Sequence, residues 1–189
     1  MHEDILKDYQ SRLISCMQSF DWSPVLALAN ELLSVRKEGR HVFLCGNGGS
    51  SANAMHIAND FLCLKARSGG RGINVTALAA NQAVLTCLAN DIGYENVFSF
   101  QLENLAKKGD ILIALSGSGN SLNILNAVNT AKKIGIFTYA ILGFDGGKCL
   151  NMVDTAIHFP INDMQIAEDL QLIAGHMLMQ WLKKGILNE

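Results

Sequence analysis

Two short stretches carry the residues best suited to holding an anion. Cys45-Gly46-Asn47-Gly48-Gly49-Ser50-Ser51 and Ser116-Gly117-Ser118-Gly119-Asn120-Ser121 each join an apolar run to a helical pattern. Glycines in such a turn let backbone N–H groups approach an anion, and the helix that follows adds partial positive charge. Serine hydroxyls add donors. The second stretch is the richer one, with Ser116, Ser118 and Ser121 within six residues and no Cβ at Gly117 or Gly119. An ordinary helix N-cap loop favours the same residue types. Two such loops at one edge of a sheet point to a phosphate. Neither loop contains lysine or arginine, and neither matches GxxxxGK[ST] or GxGxxG. That argues against nucleoside triphosphates and dinucleotides and suits a sugar monophosphate.

A second set of residues could move a proton or bind a metal. His56 and Asp60 are four apart on a predicted helix and share a face. Glu168 and His176 are eight apart on the last predicted helix and again share a face. If the helices meet, carboxylate and imidazole groups converge. Such a set can ligate a divalent ion, with zinc favoured by the donor types. It can equally supply a base and an acid beside a carbonyl. Taken singly, each has a plainer role: a helical histidine that packs, a solvated Asp60, a Glu168 that joins Asp163 and Asp169 at a helix N-terminus. His2, His41 and His158 are expected to be structural.

The elements that must position these groups alternate. Helical spacing covers residues 3–18, and Ser23-Pro24 opens a second helix, giving an N-terminal helical hairpin over 1–38. That hairpin is expected to pack either on a partner subunit or on the chain's own sheet. Strands are expected at 41–45, 73–78, 111–115, 136–142 and 153–159. Helices are expected near 50–65, 81–90, 94–107, 121–134 and 163–184, with a turn at Asn90-Asp91-Ile92-Gly93 and a basic connector from Lys65 to Gly72. Five strands mostly followed by helices specify a parallel sheet covered on both faces, an α/β domain spanning 41–189. Ligands of such sheets bind at the carboxyl ends of the strands, where both glycine–serine turns fall.

Composition narrows the function classes. The 189 residues fit one domain with a full core. A formal net charge of −2 advertises neither nucleic acid nor an anionic membrane. Nothing resembles a membrane span or a signal peptide, and Cys16, Cys45, Cys63, Cys87 and Cys149 form no CxxC pair. Buried reduced thiols and a cytoplasmic location are expected. A hydrophobic content of 49% with mean hydropathy +0.19 suggests apolar surface buried between subunits.

Gly46-Asn47-Gly48-Gly49-Ser50 followed by Ala54-Met55-His56, the pair Asn90-Asp91, and Ser116 to Ser121 together resemble the sugar isomerase (SIS) domain family. The likeness covers nearly the whole chain and is closest to the phosphoheptose isomerases. It implies a flavodoxin-like three-layer α/β/α fold with a five-stranded parallel sheet. It implies a homotetramer with active sites between subunits, and a zinc ion in many members. The implied reaction converts an acyclic ketose phosphate, sedoheptulose 7-phosphate, to an aldose phosphate through an enediol. The likeness places phosphate contacts at Ser50, Ser116, Ser118 and Ser121, with Asn47 lining the pocket and Gly48, Ser51, Gly117, Asn90 and Asp91 beside it. It places metal ligands at His56, Asp60, Glu168 and His176, with Asp60 and His176 catalytic, and counts Glu168 and Asn81 among the substrate contacts as well. The chain departs from the family pattern at Asp60, usually glutamate; at Glu168, usually glutamine; at Gly117, usually threonine; and at Asn81, usually an aspartate near the substrate hydroxyls. Those departures keep two alternatives open: an isomerase of another ketose phosphate, or a non-enzymatic family member acting as a sugar-phosphate sensor or a regulator of replication initiation.

Overall fold

The computed structural model describes residues 2–64 and 72–187. The basic connector expected at Lys65 to Gly72 therefore lies outside the described residues except for Gly72. Five strands, β1 His41–Cys45, β2 Asn74–Ala77, β3 Ile111–Ser116, β4 Phe137–Leu142 and β5 Thr155–His158, form one sheet in the order β2-β1-β3-β4-β5. Every pairing is parallel. This is the flavodoxin-like order, in which the chain reverses direction across the sheet between β1 and β3. Register pairs Cys45 with Ala114, so the loops leaving β1 and β3 emerge side by side.

Alternation along the strands divides the core in two. Leu44, Ile113, Tyr139 and Ile141 face a layer made by the N-terminal helices α1 (His2–Ser19) and α2 (Ser23–Glu38) together with α3 (Gly48–Leu62) and α7 (Met164–Leu187). Phe43, Leu112, Ala114 and Ala140 face α4 (Gln82–Ile92), α5 (Ser99–Leu105) and α6 (Leu122–Ile134). Burial on both faces explains why the strands read as continuous apolar runs. No helix among the described residues is long and apolar enough to cross a membrane.

Several expected elements shift. Asn90 and Asp91 lie on α4, which runs to Ile92 and stops at Gly93, so the expected turn begins later. The helix expected over 94–107 is a 3₁₀ turn at Tyr94–Asn96 followed by α5, with Gly93 at φ 88° redirecting the chain. Trp22 rather than Ser23 caps α2, because Asp21 accepts hydrogen bonds from the backbone and hydroxyl of Ser23. Cys45 and Cys149 are buried, Cys16 and Cys63 are partly buried, and Cys87 is exposed, donating to Asp91. Burial drives the Cys45 thiol well above its usual range and Cys149 up to about 11.

The N-terminal helices pack on the chain's own sheet. Val25, Leu28, Leu32 and Val35 of α2 are buried in the core. α1 packs Tyr9, Leu13, Cys16 and Met17 against that core as partly buried side chains, and two polar contacts tie it to the first turns of α7. Tyr9 donates to Asp169 at 2.5 Å, which pushes the phenol up to about 12. Arg12 donates to Asp163 at 2.7 Å. Asp163 also accepts the N–H groups of Gln165 and Ile166, capping α7. Arg12 first, and then the helix N–H groups, hold the Asp163 carboxyl below its ordinary value. Asp163 thus stabilises the fold above the unfolded carboxyl pKa of about 3.9, and that contribution is lost as pH falls through the lower, folded value. Asp163→Asn is expected to lower stability by about 1 kcal/mol or less at pH 7 in urea unfolding. The gap between variant and wild type is expected to close at acid pH; a pH-independent gap would contradict this role.

Candidate active site

α3 begins directly after β1. Its first intrahelical bond runs from the Ser51 N–H to the Asn47 carbonyl at 3.2 Å. The N–H groups of Gly48, Gly49 and Ser50 therefore have no partner within the helix and are left for solvent or a ligand. The loop after β3 comes up beside them. A cleft of about 230 Å³ lies between the two, lined by Asn47, Gly48, Gly49 and Ser50 on one side and Ser116, Gly117, Ser118 and Ser121 on the other. Leu115 and Met164 add apolar surface, and Glu168 is the only ionisable side chain among the described residues that line it. Any anion here is gripped by neutral donors and two helix N-termini.

The second loop is built rigidly. Ser116 Oγ accepts from the Gly119 N–H at 3.0 Å, and the Gly119 carbonyl accepts from Cys149. Gly119 has φ 64° and packs onto the Gly146 carbonyl, so a side chain there is excluded both by conformation and by space. At Gly117 a Cβ would meet the Met164 sulfur at 2.6 Å, so the threonine that the resemblance leads one to expect would need the flexible Met164 side chain to move.

Further along α3 and α7 the second constellation forms. His56 Nε2 and His176 Nε2 are 3.0 Å apart, and Asp60 Oδ2 lies 3.6 Å from the first and 3.9 Å from the second. The Asp60 side chain is 10% exposed, whereas both imidazoles are about half exposed at 48% and 50%. At 3.0 Å one imidazole donates and the other accepts, so one proton at most occupies the space between them. The triangle of ligand atoms also suits a metal. Its edges bracket the roughly 3.3 Å between ligand atoms of a tetrahedral zinc with bonds of about 2.0–2.1 Å, and two imidazoles plus a carboxylate leave a position open.

The packing that brings the helices together is visible residue by residue. α3 and α7 run in the same direction. Glu168 lies against Gly49, Asn53 donates to the Glu168 carbonyl and to Gln171, Ile57 fills the space beside Gly175, and His56 meets His176. His56 and Asp60 lie six and ten residues beyond Ser50, about 9 and 15 Å along the helix axis at about 1.5 Å per residue. The anion cleft and the acid–imidazole cluster are thus two ends of one track.

The SIS domain family matches residues 7–143. A phosphoheptose isomerase from Clostridium acetobutylicum is 38% identical over 99% of this chain and 90% of its own length. One from Cytophaga hutchinsonii is 44% identical over 84% and 83%. This chain belongs to the SIS domain family. Among solved structures, a phosphoheptose isomerase from Neisseria gonorrhoeae superimposes with a TM-score of 0.89 at 26% identity, covering 97% of this chain and 100% of that one.

Within this SIS domain, the residues singled out by sequence divide into groups. Asn47, Gly48, Ser50, Ser116, Gly117, Ser118, Ser121 and Glu168 line the cleft; His56, Asp60 and His176 form the cluster. Glu168 does not join that cluster within the chain: eight residues from His176 on a helix, it shares the face but sits about 12 Å away along the axis. Ser51 does not line the cleft. Asn81 caps α4 by accepting from the Val84 N–H at 3.2 Å, and faces a separate groove with Thr76 and Phe100. Asn90 donates to Asp91, whose carboxyl is held below its ordinary value by Asn90 and then Cys87. Neither lines the cleft. His41 and His158 make structural bonds, to Thr76 Oγ1 and the Phe144 carbonyl.

Sequence reasoning missed Asn123 and Tyr94. The amides of Asn47 and Asn123 exchange hydrogen bonds at 2.9 and 2.8 Å, and the Tyr94 hydroxyl donates to Asn47 at 2.9 Å. These bonds fix the residue that opens α3. No local pattern announces a pairing across 76 positions. Gly175 was missed too. A Cβ there would lie 2.6 Å from Ile57 Cγ1, so glycine sets the spacing of α3 and α7. Gly175→Val is expected to lower stability by about 1–3 kcal/mol through overpacking. It should also weaken divalent-metal binding, read by calorimetry, because it pushes His176 from His56. Wild-type stability and metal affinity in that variant would contradict the role assigned to this contact.

Proposed function

We propose that the chain is a phosphoheptose isomerase, interconverting sedoheptulose 7-phosphate and an aldoheptose 7-phosphate. The observation that carries this is the placement of a neutral-donor anion cleft and an acid–imidazole cluster on the same pair of parallel helices, roughly 9–15 Å apart along α3. One ligand that uses both must be extended, with several carbons between its phosphate and its reacting end. An open-chain heptose phosphate meets that requirement and a triose phosphate does not. The relatives that share most of the chain's length bear the name phosphoheptose isomerase.

In this reading the N–H groups of Gly48, Gly49 and Ser50 and the hydroxyls of Ser116, Ser118 and Ser121 anchor the phosphate. Anchoring the distant end fixes the reacting carbons without touching them, so binding energy is turned into orientation. Asp60 takes the proton from the hydroxymethyl carbon beside the ketone and returns it to the neighbouring carbon. His176 gives a proton to the ketone oxygen and accepts one from the adjacent hydroxyl, with His56 at 3.0 Å able to share it. The two transfers balance: one hydrogen moves between carbons and one between oxygens. In place of that shared proton, His56, Asp60 and His176 could hold a zinc or similar divalent ion through the same atoms, which when bound would supply a Lewis acid for the oxygens at that end.

The active unit is a homotetramer with sites between subunits. Ile5, Leu6 and Ile14 of α1, Leu26 of α2 and Met177 of α7 are exposed apolar side chains. A broad groove lined by Met17, Ile173, Met177 and Trp181 reaches His176 itself. Burying that surface against another copy would cover the half-exposed imidazoles and exclude water from the proton transfers.

The test is a coupled assay with sedoheptulose 7-phosphate. Wild type is expected to turn over, and Asp60→Asn to lose at least about 100-fold in kcat while inorganic phosphate still binds. Turnover near wild type in the variant would contradict the assignment. Turnover of a different ketose monophosphate instead would keep the chemistry and change the sugar.

A further inference from the structure

Glu168 stands apart from everything else in the anion cleft. Among the described residues, the other side chains lining it are uncharged, with no lysine or arginine. The Glu168 carboxylate lies directly against Gly49 in the first turn of α3; a Cβ built on Gly49 would fall on both carboxylate oxygens and on Cδ. The helix N-terminus that attracts a phosphate therefore already faces a negative charge from the protein itself. α7 cannot swing away easily to relieve this, because Asn53 donates to the Glu168 backbone carbonyl at 2.9 Å and Ile57 fills the space beside Gly175.

An ionised carboxylate accepts hydrogen bonds and cannot donate them. Against a hydroxyl of the ligand it is a good partner; against a second anionic group, among described lining residues that are otherwise uncharged, it is a repulsive one. Discrimination of this kind comes from the element that penalises the wrong ligand as much as from contacts to the right one. We propose that Glu168 is the specificity-determining residue of the cleft. It admits a monophosphate ester whose carbons next to the phosphate carry hydroxyls, and it rejects one that carries a carboxylate or second phosphate close by. This rests on the phosphate cleft of the proposed isomerase and adds to it the charge rule for what may sit beside the phosphate.

Calorimetric titration of the whole protein with two small probes tests the rule. Glycerol 3-phosphate places hydroxyls beside its phosphate; 3-phosphoglycerate places a carboxylate there. Wild type is expected to prefer glycerol 3-phosphate by about tenfold or more, equivalent to about 1.4 kcal/mol. Glu168→Gln keeps the shape and removes the charge, and is expected to bring the two affinities within about threefold, mainly by tightening 3-phosphoglycerate. A merely structural role for Glu168 would weaken both probes alike and leave their ratio unchanged, which would overturn the proposal. Equal affinities in wild type would overturn it without needing the variant, while leaving the phosphate cleft intact. Failure of wild type to bind either probe would overturn the phosphate cleft itself and this proposal with it.

Discussion

The contact between Ile57 and Gly175 is the constraint on which the site depends. It lets α3 and α7 lie close enough for His56 and His176 to meet at 3.0 Å, and it keeps the two helices running in the same direction. Because both helices follow or flank parallel strands, their N-termini sit at the same edge of the sheet. The anion cleft forms there, and the imidazole–carboxylate cluster forms farther down. A bulkier residue at 175 would separate the helices and dissolve the cluster while the sheet stayed as it is. The geometry of this cluster is a packing property before it is a chemical one.

The sheet supplies the other half of the arrangement. With β1 and β3 adjacent and in register at Cys45 and Ala114, two loops that are far apart in sequence become the two walls of one cleft. Each wall is held by bonds a ligand need not supply: the Asn47–Asn123 exchange on one side, the Ser116–Gly119 and Gly119–Cys149 bonds on the other. Donors fixed in advance lose little freedom on binding, which offsets the absence of lysine and arginine among the described residues that line the cleft. Glu168 is the one carboxylate among the described residues that line it.

Much of this was legible in the sequence, and what was not follows a physical pattern. The glycine–serine loops that wall the cleft were visible because such turns are local, with every donor within seven residues. The five strands were visible because two-sided burial writes continuous apolar runs. The pairing of His56 with Asp60 was visible because a spacing of four is one helical turn. The meeting of α3 with α7 was not, since it is set by a glycine 118 residues beyond Ile57 whose meaning is steric. Glu168 shows the limit of face-sharing arguments. Eight residues place two side chains on one face, but helical rise puts them at different ends of the track. Asn81, Asn90 and Asp91 lie outside the cleft within this chain, where their side chains cap or brace α4.

The account turns on one extended ligand using both ends of the α3–α7 track at once. A crystal structure with sedoheptulose 7-phosphate bound tests that most directly. It should show the phosphate among Gly48, Gly49, Ser50, Ser116, Ser118 and Ser121, and the first two carbons at Asp60 and His176. A phosphate seated in the cleft with those carbons distant from Asp60 and His176 of every subunit would contradict it.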